Sequence, residues 1–188
     1  MENGTGRKMT AIKTKKANLI IYITLAVLLS AMVLLAFLNR GDAALKRALE
    51  ENREFHLRVN GEYAATVSLQ TLIDMDPQDF STTFTTSITA SRNVDLRGVE
   101  LRFLLEAAEI DISGASHFVV SGLDNFYVVV SSADVNRGEY IYIWYMMDGE
   151  MLEPMSKGGM GPFLLVYRGD IFAYRWCKYV EAVDMVTK

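Results

Sequence analysis

Few side chains in this 188-residue sequence are of a type and spacing that does chemistry. Its single cysteine, Cys177, excludes an intrachain disulfide, a thiolate zinc cage and a CxxC redox pair. A lone thiol in apolar surroundings behaves as a small buried hydrophobe, and that is what is expected of Cys177. His56 and His117 are the only histidines. Each falls in a stretch of strand character, and nothing near either in sequence completes a metal-ligand set. Asp74, Asp76 and Asp79 can attract a hard cation, but EF-hand spacing is missing and a solvated turn is expected. Lys157 and the glycines at 158, 159 and 161 offer backbone amides and one ammonium to a phosphate. That loop lacks the GK[ST] ending and following helix of a P-loop, so it reads as an ordinary flexible loop. No serine stands in a nucleophile elbow.

The elements that must position these residues begin with a run of twenty residues without a charge, Leu19 to Leu38. At about 1.5 Å per residue it reaches roughly 30 Å, the thickness of a bilayer's hydrocarbon core. A cleavable signal peptide has a shorter apolar core and a small-x-small site. Cleavage near Gly41, Ala43 and Ala44 is the alternative to an anchor. Residues 1–38 hold five basic side chains against one acid, whereas the rest hold fourteen against twenty-two. Lys13, Lys15 and Lys16 flank the span on one side and Arg40 on the other, which predicts a cytoplasmic N-terminus and an extracytoplasmic domain. So acidic a domain has no electrostatic footprint for nucleic acid, and none is expected as a partner. The expected division is a basic head over 1–18, a transmembrane helix over 19–38, a helical stalk over 39–53 and an α+β domain over 54–188. In the stalk, Leu45, Ala48 and Leu49 share one helical face.

From Glu54 the hydrophobic period becomes two. Phe55, Leu57 and Val59 predict a half-buried strand, Asn60-Gly61 a hairpin turn, and Tyr63 to Val67 the returning strand. Ser68 is placed to cap a short helix ending by Met75. Phe80 to Ala90 reads as a threonine-rich strand. Val99, Leu101, Leu104, Leu105 and Ala108 then form an apolar stripe at helical spacing. His117 to Val120 and Phe126 to Val130 are predicted strands around a turn, and Ser132 is read as the cap of one helical turn. Tyr140 to Met147 is apolar on both faces and therefore central, which makes its aromatics core residues. Phe163 to Tyr167, Phe172 to Trp176 and Val180 to Met185 complete the predicted strands.

Several landmarks in this order resemble the molybdopterin-binding oxidoreductase domain of the sulfite oxidase family, from about Phe55 to Met185. The opening FHLRVNGEYAATVSLQTL is similar to the family's strand–Gly–strand start. GVELRFLLEAA from Gly98 resembles its "GV-x-L-x-x-LLE-x-A" segment. SGLDNFYVVV resembles a strand pair turning at "DG-[YF]", with Asn125 in the glycine's place, where positive φ is tolerated. IWYMMDGEML, GGMGPFLLV and YRWCKYVEAVDM are similar to "LAY-x-x-DG-x-x-L", "GGPLRLV" and the closing "KW" strand. The resemblance implies a sulfite-oxidase-like mixed sheet with short inserted helices.

Catalytic members of that family hold molybdenum through a pterin dithiolene and one cysteine thiolate. The resemblance places that cysteine within Thr82 to Arg97, a span with no cysteine here. It also puts Leu164 where the family has a basic residue, and Cys177 where it has an aliphatic one. The expectation is therefore a non-catalytic, membrane-anchored domain with no resident cofactor. It would bind a small anionic ligand or an envelope protein partner at a cleft rim of Ser91, Arg92, Lys157 and Arg175. The alternatives are a molybdenum-cofactor oxidoreductase with an unusual ligand set and a structural component of an envelope assembly.

Overall fold

The structure is a computed structural model describing residues 4–38, 40–85, 91–170 and 173–188. It divides into two compact units, Met1–Leu45 and Lys46–Lys188. The first holds helix α1 (Gly4–Leu38), whose Asn18–Leu38 stretch has a mean hydropathy of 2.7 and is long and apolar enough to span a membrane. Helix α2 (Arg40–Asn52) carries the chain into the second unit. Of the stripe expected there, only Leu49 is buried; Leu45 and Ala48 are exposed. The Lys46 ammonium donates to the Leu123 carbonyl and Asn125 Oδ1 at 2.9 and 2.6 Å and lies 3.5 Å from Glu181, which fixes the end of α2 on the domain.

The second unit is a mixed α+β domain whose described residues form two five-stranded sheets. The first sheet runs β2 (Glu62–Ser68), β1 (Glu54–Val59), β10 (Val180–Thr187), β5 (Ala115–Gly122), β6 (Tyr127–Ser131). Its β1–β10 pair is parallel and joins the domain's beginning to its end. Asn60 and Gly61, both at positive φ, form the β1–β2 turn that their dipeptide predicts. The second sheet runs β3 (Gln78–Phe84), β4 (Arg92–Glu100), β7 (Ile141–Met147), β8 (Glu150–Met151), with β9 (Leu164–Tyr167) also paired to β7. Among the described residues three short α-helices are inserted: α3 (Leu69–Asp74), α4 (Leu101–Ala107) and α5 (Ser132–Asn136).

Side chains alternate across a strand, so β7 and β9 feed two separate cores. Ile141, Ile143, Tyr145, Leu165 and Tyr167 enter the main core with Phe55, Leu57, Phe118 and Val183 of the first sheet. Tyr142, Trp144, Leu164 and Val166 enter a second, smaller core. Burial on both faces is why these two strands read as continuous apolar runs.

The elements differ from expectation at several places. Residues 92–100 form a strand whose Val94 and Leu96 point inward between exposed Asn93, Asp95 and Arg97, a period of two lying in plain sight. Val99 therefore belongs to β4, and the helix begins only at Leu101. Ser131, not Ser132, caps α5, its hydroxyl accepting from the Asp134 amide. The threonine-rich strand stops at Phe84, and the expected continuation over 86–90 lies outside the described residues. Residues 173–176 turn rather than extend, with Ala173 at φ 52° and the Trp176 amide bonded back to the Ala173 carbonyl; 171 and 172 are not described.

Candidate functional site

The second core gathers residues that are distant in sequence. β3 contributes Phe84, with Phe80 packed against it; β4 contributes Val94 and Leu96; β7 and β9 contribute Tyr142, Trp144, Leu164 and Val166. The turn before β10 adds Trp176. Phe80 meets Trp144 edge-on at 4.6 Å and Tyr142 at 5.7 Å, while Phe84 lies 5.3 Å from Trp176. Arg168 stands at its margin, and the buried Glu100 is paired with Tyr142 across β4 and β7. Arg168 covers the Phe80 ring at 5.2 Å and pairs with Glu139 at 3.3 Å. The Tyr142 hydroxyl donates to Gln78 Oε1 at 2.9 Å, and burial, then the nearby Glu100 carboxylate, raise its pKa.

Among the described residues, the buried side-chain polar atoms without a partner are two, both inside this core. The indole N–H groups of Trp144 and Trp176 are sealed from solvent, and neither donates a hydrogen bond. Each such orphan costs about 1–3 kcal/mol.

The four expected rim residues do not surround one point. Arg92 pairs with Asp148 beyond the C-terminal end of β7 and reaches Met147 Sδ at 3.6 Å, with the Ser91 hydroxyl 2.8 Å from that of Thr85 nearby. Arg92, and then the Asp95 amide, hold the Asp148 carboxyl below its usual range. Arg175 lies at the other end of β7, over the Tyr167 ring at 4.0 Å and bonded to Asp170 and the Tyr140 hydroxyl, each at 3.3 Å. Lys157 sits in a short turn (Met155–Lys157) and pairs with Glu153 at 3.4 Å. Sequence proximity to loops misled here, because those loops open at different ends of the sheet. Trp176 and Phe84 were missed; Trp176 carries no legible signal when its segment is read as a strand.

The other sequence candidates resolve into local contacts. Asp79 takes a two-pronged bond from Arg97 at 2.9 and 2.8 Å, and Asp74 accepts from Gln70. Asp79 and Arg97 also line a surface hollow of about 110 Å³ with Asp95, Leu96, Met146 and Gly149. His56 bonds the Thr66 hydroxyl at 3.1 Å, and His117 approaches Ser116 at 3.3 Å. Among the described residues no three His, Cys, Asp or Glu side chains group as a metal site.

Residues 44–188 match the family described as "Oxidoreductase molybdopterin binding domain". The chain belongs to this family. Among solved structures it is similar to the sulfane dehydrogenase SoxCD from Paracoccus pantotrophus, at a TM-score of 0.56 and 16% identity. The match covers 71% of this chain and 38% of that one, so this chain spans well under half of the SoxCD chain's length. At that identity the likeness establishes the sulfite-oxidase-like fold. No curated protein matches the chain in sequence at a significant level.

Family membership makes molybdopterin the cofactor to test against these residues. Thiolate-held molybdenum does not fit them. Cys177 is fully buried in the main core, its Sγ against the Val120 and Lys178 carbonyls at 3.8 and 3.7 Å. Burial, and secondarily the Asp124 charge, push its pKa up to about 12, so the thiolate is strongly disfavoured. Leu164, where the resemblance leads one to expect a basic residue, is wholly buried among aromatic and aliphatic side chains.

One consequence is directly measurable. In the folded chain Cys177 should resist a thiol-specific aromatic disulfide at pH 8, labelling only at the rate of global unfolding. Rapid stoichiometric labelling without denaturant would show a reachable thiol. Because its folded pKa is raised from 9.0 to about 12, the thiol's contribution to stability is intact below pH 9 and is lost as pH rises toward 12.

Proposed function

We propose that this chain is a membrane-tethered, extracytoplasmic member of the molybdopterin-binding oxidoreductase family that works as a non-catalytic binding domain. One observation carries the reading: the only sulfur able to give a thiolate is locked in the main core, and the span from Thr82 to Arg97 has none. A soft metal held through its thiolate needs that donor in a reachable place. The apolar Asn18–Leu38 helix supports tethering, and the lysines on its N-terminal side support a domain outside the cytoplasm. The dispersal of Ser91, Arg92, Lys157 and Arg175 argues against an anion held at a shared rim. A protein partner in the envelope, or a small ligand held away from that rim, is the cargo this reading leaves.

Metal analysis of detergent-purified full-length chain, made in a host that synthesises the molybdenum cofactor, tests this reading. The expected content is well under a tenth of a molybdenum per chain. Near-stoichiometric molybdenum would overturn it in favour of a cofactor-dependent oxidoreductase with an unusual ligand set.

A further inference from the structure

We infer that Met146 and Met151 hold a soft monovalent metal ion, copper(I), at the hollow beside the β7–β8 turn. The strand register carries Asp79, Arg97, Met146 and Met151 across β3, β4, β7 and β8 as one row of cross-strand neighbours. Such neighbours share a face of the sheet. Asp79, Arg97 and Met146 line the surface hollow of about 110 Å³, together with Asp95, Leu96 and Gly149. Met151, next in the row, is 37% exposed and belongs to neither core. Methionine serves a core by filling its gaps, and Met151 fills none.

Residues directly opposite in an antiparallel pair have Cβ atoms about 4.5–5.5 Å apart. An ion held between two sulfurs sets them about 4.6 Å apart, twice a metal–sulfur bond of about 2.3 Å. The two thioethers can therefore meet one ion from opposite sides, and methionine's flexible side chain supplies the adjustment. The Leu152 amide donates to the Tyr145 carbonyl at 2.8 Å, which keeps Met151 alongside Met146. Charge at the hollow favours a cation. Arg97 is taken up by Asp79, and Arg92 by Asp148. Asp95 accepts from the Ser81 hydroxyl, and among the described residues no cation pairs with it. One uncompensated carboxylate matches one positive charge. Ligand softness then selects the metal. Calcium takes about six to eight oxygens, and zinc takes thiolate, imidazole or carboxylate. No histidine or cysteine lines the hollow. Thioether donors select copper(I).

Detergent-purified full-length chain with isotope-labelled methionine methyls is titrated by NMR with silver(I), a soft ion of the same charge and stable oxidation state. Copper(I) follows in the absence of oxygen. The methyl signals of Met146 and Met151, assigned by Met146→Leu and Met151→Leu, should move together and saturate near one equivalent of either ion. Zinc(II) and calcium(II) should move neither. Leucine conserves the volume of methionine, so each variant should fold and bind silver(I) at least tenfold more weakly. Asp95→Asn should weaken it about threefold, as loss of one exposed charge does. Met151 is exposed, so Met151→Leu decides alone if Met146→Leu does not fold. Movement of only one of the two signals, prior binding at other methionines or at Cys177, equal binding of zinc(II), or full affinity in the folded variants overturns the assignment. Molybdenum content tests the role of Cys177, whereas these two signals report Met146 and Met151 whatever that content proves to be.

Discussion

Gly98→Val is expected to leave the domain without a cooperative fold. A Cβ at this position would collide with the Ile143 carbonyl oxygen and lie 2.7 Å from the Trp144 Cα. Both are backbone atoms of β7, which pairs with β4, β8 and β9, so neither has room to retreat. Gly98 also sits where the β4–β7 register shifts, between Arg97 and Gly98, and glycine is what permits so close an approach. Opening that pair disturbs both cores at once, because Val99 enters one and Leu96 the other. The loss should exceed about 4 kcal/mol, in the range reserved for gross steric insult. A domain of this size has only about 5–15 kcal/mol in total. Circular dichroism melts and soluble yield read the outcome. A sigmoidal melt within a few degrees of wild type would mean that β4 and β7 are less tightly apposed than described.

Phe55→Ala should cost about 3–5 kcal/mol, the usual range for truncating a fully buried phenylalanine. Phe55 lies on β1 of the first sheet and is wholly inaccessible. Its ring meets that of Phe163, just before β9 of the second sheet, edge-on at 4.9 Å. Losing that pair removes roughly another 0.5–1.5 kcal/mol beyond the buried area, so the upper part of the range is expected. Phe55→Leu keeps most of the volume and should cost clearly less. Denaturant midpoints at unchanged slope measure both. Equal effects for the two substitutions would show that ring geometry, and not buried area, holds the sheets together.

Local periodicity made much of the fold legible. The alternation of Phe55, Leu57 and Val59 marked β1, and Asn60-Gly61 marked its turn because few residues accept positive φ. Asn125, read as a stand-in for glycine, does adopt φ 66°, and its amide oxygen also accepts from Lys46. β4 was legible in principle, since Val94 and Leu96 alternate with charged neighbours, but the stronger helical stripe that follows hid it. The turn at 173–176 was not legible: Ala173 takes a left-handed conformation that nothing in its residue type announces.

The candidate site followed a different rule. The segments that meet in the second core carry residues 80, 94, 144, 164 and 176, and no local pattern states that they converge. Nor does a polar residue near a loop say at which end of a sheet that loop opens, which is why Arg92 and Arg175 proved to lie at opposite ends of β7.

By itself the sequence determined a helix long enough for a bilayer, an α+β alternation and the presence of one sulfur nucleophile, because length, period and composition are properties of the chain alone. Only the tertiary structure decided that Cys177 is walled into the main core, that Leu164 sits among aromatics, and that two indole donors are left without acceptors. Those outcomes depend on which distant residues share a space, and pairing across a sheet is fixed by the whole set of contacts rather than by any stretch of it.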